Sequence, residues 1–111
     1  MLNLSADEQA WVDEFRRQMG EQFPGLLEDI IIFGPYSRGI SDPEVDMSTL
    51  MLIREGTRAK KDAVADLGYY VDLDTTLVSP TLMVRTMAEW EEAKRERGWI
   101  YQLAHDGVSA L

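Results

Sequence analysis

Two short segments of the chain combine residue types that suit phosphate and metal chemistry. The first is a turn with Gly34, Ser37, Arg38 and Gly39, and it directly follows an apolar run. Glycine lets backbone N–H groups approach phosphate oxygens, and serine and arginine side chains donate hydrogen bonds to them. The second segment starts with Asp46, whose carboxylate is a ligand that Mg²⁺ prefers. Glycine and serine are also common in ordinary turns, so both the functional and the purely structural interpretation stay open.

The run from Asp46 to Ile53 is predicted to form a β-strand. Side chains alternate between the two faces of a strand, so Asp46 and Ser48 share one face with Leu50 and Leu52. Carboxylates at the positions of both Asp46 and Ser48 would hold metal ions. A pair of such ions stabilises the attacking and leaving oxygens of an in-line displacement. Ser48 offers a hydroxyl, which is a poor substitute for a carboxylate on magnesium. We therefore expect an incomplete metal site.

This stretch resembles the minimal nucleotidyltransferases, the small members of the polymerase-β-type superfamily. Their signature is a strand, Gly-Ser, ten residues, and then Asp-x-Asp on the next strand. In this chain Gly34 and Pro35 take the Gly-Ser places, ten residues follow, and Asp46 and Ser48 take the places of the two acids. Residues 37–39 match the family's Ala-Arg-Gly and residues 42–43 its Asp-Pro, with weaker matches at 77–80, 88–91 and 105–108.

The resemblance implies a Mg²⁺- and ATP-dependent transfer of AMP to a hydroxyl. It gives Asp46 the catalytic and metal-binding role, and it makes Ser48 a nucleotide contact together with the turn residues Gly34, Ser37, Arg38 and Gly39. Asp72 and Asp74 lie just before the third predicted strand and are the candidates to replace missing metal ligands. Pro35 lacks both a hydroxyl and a backbone N–H donor, and Ser79 and Thr81 stand where active members often carry a third acid. Because each lost stabilising group costs roughly 100- to 1,000-fold in rate, we expect weak activity or none.

Three functions remain open after the sequence is read. The first is a non-catalytic protein that acts through a protein partner, and the resemblance implies an antitoxin-type partner of a HEPN ribonuclease. The second is an active nucleotidyltransferase with Asp46 as its main metal ligand. The third is a nucleotide-binding or structural module without transfer chemistry, acting as a homo-oligomer. The missing acid favours the first of these.

Composition restricts the class of protein further. The 111 residues fit one domain, residues 1–111, and carry a net charge of −9. Nucleic-acid-binding domains usually show a basic footprint, so direct nucleic-acid binding is not expected. The chain contains no cysteine, which excludes disulfides and thiolate metal sites and agrees with a cytoplasmic location. A signal peptide is not predicted, because the N-terminal residues are neither basic nor continuously apolar. A membrane span is not predicted either, because no apolar run approaches the roughly 20 residues needed.

The elements around the candidate site are predicted from apolar periodicity. A first helix starts with capping-box spacing at Ser5 and Glu8, carries an apolar stripe through Val12, Phe15 and Met19, and is expected to end near Gly20. The remaining predictions are strands over residues 29–33, 46–53 and 77–84, with helices over 60–70, 86–95 and 99–105. Pro80 predicts either an edge position for the third strand or a missing hydrogen bond in the ladder. The sequence therefore predicts an α/β (α+β) protein with a small mixed sheet, whose first two strands are central and joined by a long loop.

Overall fold

The protein folds as an α+β structure in which helices cover a mixed sheet. The computed structural model describes residue 4 and residues 6–33, 47–71, 80–105 and 107–111. Within these ranges the order of elements is α1 (Ala6–Gln22), β1 (Leu27–Phe33), β2 (Met47–Ile53), α2 (Arg58–Tyr69), β3 (Pro80–Thr86), α3 (Met87–Glu96), α4 (Trp99–Ala104) and β4 (Val108–Ser109).

The described strands form one sheet in the order β3-β2-β1-β4. β1 is antiparallel to both β2 and β4, whereas β2 and β3 are parallel. β1 and β2 are therefore the central strands, as the sequence predicts. Among the described strands β3 lies at one edge, which confirms the first of the two alternatives predicted from Pro80.

Each face of the sheet is covered by a different pair of helices. On one face α1 and α2 bury the larger core, which includes Trp11, Phe15 and Val64 together with Ile30 and Ile32 of β1. On the other face α3 and α4 bury a smaller core around Trp90 and Ile100. Side chains alternate between the two faces along β1 and β2, so each of these strands contributes to both cores. Strands that are buried on both faces carry apolar residues at nearly every position.

The predicted elements are present, with shifted ends. α1 continues past Gly20 to Gln22, and α2 begins at Arg58 because the Thr57 side chain accepts a hydrogen bond from the Lys60 backbone and caps the helix. β1 begins at Leu27, two residues earlier than predicted, and its pairing with β2 is irregular between Leu27 and Asp29.

The third strand and the C-terminal elements also depart from the prediction. β3 extends to Thr86, since it pairs with β2 along the whole of that strand, and residues 77–79 lie outside the described residues. α4 ends at Ala104, one residue before the predicted end. β4 was not predicted, because a two-residue strand has no periodic signal in the sequence.

Candidate functional site

Most of the residues predicted to carry chemistry lie outside the described part of the chain. These are the turn residues and the three aspartates, namely Gly34, Ser37, Arg38, Gly39, Asp46, Asp72 and Asp74. Ser48 is the member of the predicted set that the structure describes. The surroundings of Ser48 are therefore the part of the predicted site that the structure describes.

Ser48 lies near the start of β2, in the middle of the sheet. Its neighbour on β1 is Phe33 and its neighbour on β3 is Thr81. Ser48 shares its face with Leu50 and Leu52, which belong to the core covered by α3 and α4. This confirms the predicted division of β2 into two faces.

Pairing of the two parallel strands brings Ser48 and Thr81 side by side. Adjacent strands lie about 4.8 Å apart, so two carboxylates at these positions would lie close enough to share a metal ion. Both positions carry hydroxyls instead, which are neutral and are weak ligands for magnesium. Among the described residues, no group of three or more His, Cys, Asp or Glu side chains is arranged to hold a metal ion.

A second candidate site, which the sequence did not predict, lies between α2, β3 and the first turn of α3. It is a cavity of about 480 Å³. We call it the cationic groove, because Arg58 and Lys61 of α2 and Arg85 of β3 line it together. Its remaining lining residues are Asp62, Ala65, Leu82, Val84 and Glu89. The sequence signal that could have indicated it is the Arg-Ala-Lys-Lys run at residues 58–61, which places cations at the start of α2.

Glu89 closes one side of the cationic groove. Its carboxylate accepts hydrogen bonds from the Lys61 ammonium at 2.9 Å and from the backbone N–H of Thr86 at 2.8 Å. The Thr86 hydroxyl in turn accepts from the backbone N–H of Glu89, so the pair forms a capping box at the start of α3. Partial burial opposes ionisation, but the Thr86 and Lys61 donors outweigh it and hold the pKa of Glu89 below its ordinary value.

Arg85 joins the cationic groove to an exposed aromatic surface. Its guanidinium donates to the Val84 carbonyl at 2.8 Å and lies 6.0 Å from the centre of the Trp99 ring. Trp99 is 62 % exposed, and it lines a smaller hollow with Glu92 and Glu96 of α3. Trp11 and Trp90, by contrast, are buried in the two cores.

Searches for similar proteins add no family to these observations. No protein-family model, no curated protein and no solved structure matches the chain. None of the helices in the described ranges is both long and apolar enough to cross a membrane. The chemical character of the chain therefore rests on its own residues.

Proposed function

We propose that this chain is a nucleotidyltransferase-like protein that acts through a protein partner, with nucleotidyl transfer weak or absent. The observation that carries the proposal is the pair of hydroxyls at Ser48 and Thr81 on neighbouring parallel strands. In the arrangement that the sequence resembles, these positions suit carboxylates. The two hydroxyls add no negative charge, so metal binding would depend on Asp46 and on the candidate replacement ligands Asp72 and Asp74.

The surface supports a role in protein binding. Trp99 and Tyr70 are exposed large aromatic side chains, a type that is enriched where proteins bind each other. The net charge of −9 favours a basic partner, because complementary charge speeds association and selects the partner. A HEPN-type ribonuclease, which the resemblance implies, is the partner we propose, and a cytoplasmic location goes with it.

Calorimetric titration with ATP and Mg²⁺ tests the catalytic half of the proposal. The wild-type chain and Asp46→Asn should bind ATP with the same affinity in this titration. In an assay with labelled ATP, neither should transfer the label to an acceptor. Ser48→Asp restores the second carboxylate and should increase Mg²⁺-dependent ATP binding, whereas the uncharged Ser48→Asn should not. Saturable, Mg²⁺-dependent binding by the wild type that Asp46→Asn removes would overturn the proposal in favour of an active enzyme.

Purification of the tagged chain from its own cells tests the partner half. We expect one protein to co-purify in a fixed ratio, to be identified by mass spectrometry as a HEPN ribonuclease, and to dissociate as the salt concentration rises. A Trp99→Ala variant should lose the partner while keeping its circular dichroism spectrum. Light scattering that gives a monomer or a homo-oligomer without a second protein at every salt concentration would contradict the proposal.

A further inference from the structure

The cationic groove collects positive charge in a chain that is otherwise strongly acidic. Arg58 and Lys61 come from the first turns of α2, and Arg85 comes from β3, 24 residues further along the chain than Lys61. Two carboxylates, Asp62 and Glu89, also line the cavity, so its walls carry a net charge of +1 while the whole chain carries −9. The groove is thus a local exception to the charge of the molecule.

The position of these cations opposes the intrinsic preference of a helix. The N-terminal end of a helix carries a partial positive charge, and a cation there is unfavourable by about 0.3–1 kcal/mol. The first turn of α2 contains cations and no acidic residue. Stability of the isolated helix therefore does not account for Arg58 and Lys61.

Among the described residues, one of the three cations of the groove has a carboxylate partner. Lys61 forms an ion pair with Glu89 at 2.9 Å. Within the described residues, Arg58 forms no ion pair, and Arg85 contacts the neutral Val84 carbonyl and the Trp99 ring rather than a carboxylate. Two guanidinium groups therefore line the cavity without an anionic partner from the described chain.

We propose that the cationic groove binds a phosphate group, either as free phosphate or as the phosphate of a nucleotide. Guanidinium groups suit this ligand because their planar N–H donors form paired hydrogen bonds with phosphate oxygens. Arg58 and Arg85 are the binding residues, and Lys61 adds a third donor held in place by Glu89. The cavity of about 480 Å³ has room for a phosphate ester as well as for the free ion.

This site is separate from the one that carries the proposed function, and it does not rest on that function. Arg85 lies four residues after Thr81 on β3, which corresponds to about 13 Å along a strand. The predicted metal site lies at the start of β2 and β3, whereas the cationic groove lies beside the later half of β3. Phosphate binding in the groove therefore requires neither Asp46 nor Mg²⁺.

Titration with sodium phosphate, AMP and adenosine, in low salt without Mg²⁺, tests the proposal. We expect saturable phosphate binding that weakens at least about tenfold, or about 1.4 kcal/mol, in Arg58→Gln and in Arg85→Gln. Lys60→Gln is the matched control, since Lys60 is an exposed cation of the same turn that does not line the cavity. It should change the affinity less than twofold, and so should Asp46→Asn.

The ligands distinguish the source of the phosphate. Equal affinity for phosphate and AMP identifies the free ion as sufficient, whereas tighter binding of AMP together with no binding of adenosine identifies a nucleotide phosphate. Circular dichroism of each variant checks that it is folded, and the charge-conserving Arg58→Lys should bind more tightly than Arg58→Gln.

Three results would overturn the proposal. The first is no saturable phosphate binding by the wild type, and the second is an equal loss in Lys60→Gln, which would indicate a diffuse charge effect. The third is phosphate binding that appears only when the titration is repeated with Mg²⁺, and that Asp46→Asn removes while the arginine variants keep it. That last outcome would place the phosphate at the predicted metal site and would count against the proposed function as well.

Discussion

The Glu89 side chain makes one local and one long-range interaction. It completes the capping box of α3 with Thr86, a contact between residues three apart, and it also binds Lys61 of α2. The capping box is readable from the sequence, because Thr and Glu stand at the required spacing. The ion pair joins residues 28 apart and depends on how α2 and α3 approach each other beside β3.

The lowered pKa of Glu89 predicts a pH-dependent contribution to stability. A group whose pKa is lower in the folded chain stabilises it above the unfolded pKa, ordinarily 4.5, and loses that effect as the pH falls through the folded pKa. Glu89→Gln keeps the capping geometry but removes the ion pair. It should lower the free energy of unfolding at pH 7 by up to about 1 kcal/mol, since the pair is partly exposed.

Urea unfolding across a pH series measures this effect. The difference between the wild type and Glu89→Gln should shrink below pH 4.5 and disappear once Glu89 is protonated in the folded chain. Glu92→Gln removes the same charge from α3, at a residue with no ion pair among the described residues, and is the control. A difference that stays constant from pH 7 into acid would contradict the assigned role.

At the scale of elements, β3 shows how an edge strand is protected. The backbone N–H of Leu82 donates to the Tyr69 hydroxyl at 3.2 Å, and that of Thr86 donates to Glu89. Pro80 has no N–H to offer. Edge strands with unpaired N–H groups invite pairing with another chain, so these side chains reduce that hazard on the edge that borders the cationic groove.

Contact between α2 and the sheet depends on a glycine. Gly68 is buried, and a Cβ placed there would lie 2.5 Å from Leu82 Cδ1, with Phe15 and Met51 side chains also close. The Trp11 indole donates to the Gly68 carbonyl at 3.2 Å, which fixes α1 against the same turn. Since Leu82 is itself packed in the core, it has little room to move aside.

Alanine substitution at two helical glycines should therefore have opposite effects. Gly68→Ala should lower the free energy of unfolding by about 1–3 kcal/mol through overpacking, less the helix propensity that alanine gains. A Cβ added at Gly20 in α1 meets no atom within 4 Å, so Gly20→Ala should raise the free energy of unfolding by up to about 1 kcal/mol. Urea denaturation of both variants provides the measurement, and stabilisation by Gly68→Ala would show that the helix is not packed as closely as described.

At the scale of the molecule, the two faces of the sheet are unequally stabilised. The face covered by α1 and α2 buries the larger cluster, with Trp11 stacked on Phe15 at a ring distance of 5.4 Å. The opposite face is covered by α3 and the six-residue α4, whose first residue, Trp99, is largely exposed. The N-cap residue of α4 is Gly98, which has no side chain to cap the helix.

This asymmetry predicts a gradient of local stability. Amides of α4 should exchange with deuterium at least about tenfold faster than those of β2, because short, weakly packed helices open without unfolding the rest. β2 is hydrogen-bonded on both sides, to β1 and to β3, so its amides should report the global free energy of unfolding. Equal protection of α4 and β2 would mean that both layers open only together.

The sequence by itself determined the local features of this protein. The stripe of Val12, Phe15 and Met19, the cap at Thr86 and the edge position of Pro80 are each encoded by residues close together along the chain, where periodicity and capping rules apply. The absence of a carboxylate at Ser48 is also a fact of the sequence. The ends of the elements were less accurate, because pairing with neighbouring strands extended β1 and β3 beyond their apolar runs.

Only the tertiary structure decided which distant residues meet. Strand pairing placed Ser48 beside Thr81, and the packing of α2 against β3 brought Arg58 and Lys61 to the same cavity as Arg85. The predicted turn and the three aspartates lie outside the described residues, so their roles stay predictions. The strand register and the convergence of charges depend on contacts between residues tens of positions apart. A pattern that repeats every two or 3.6 residues gives no information about such contacts.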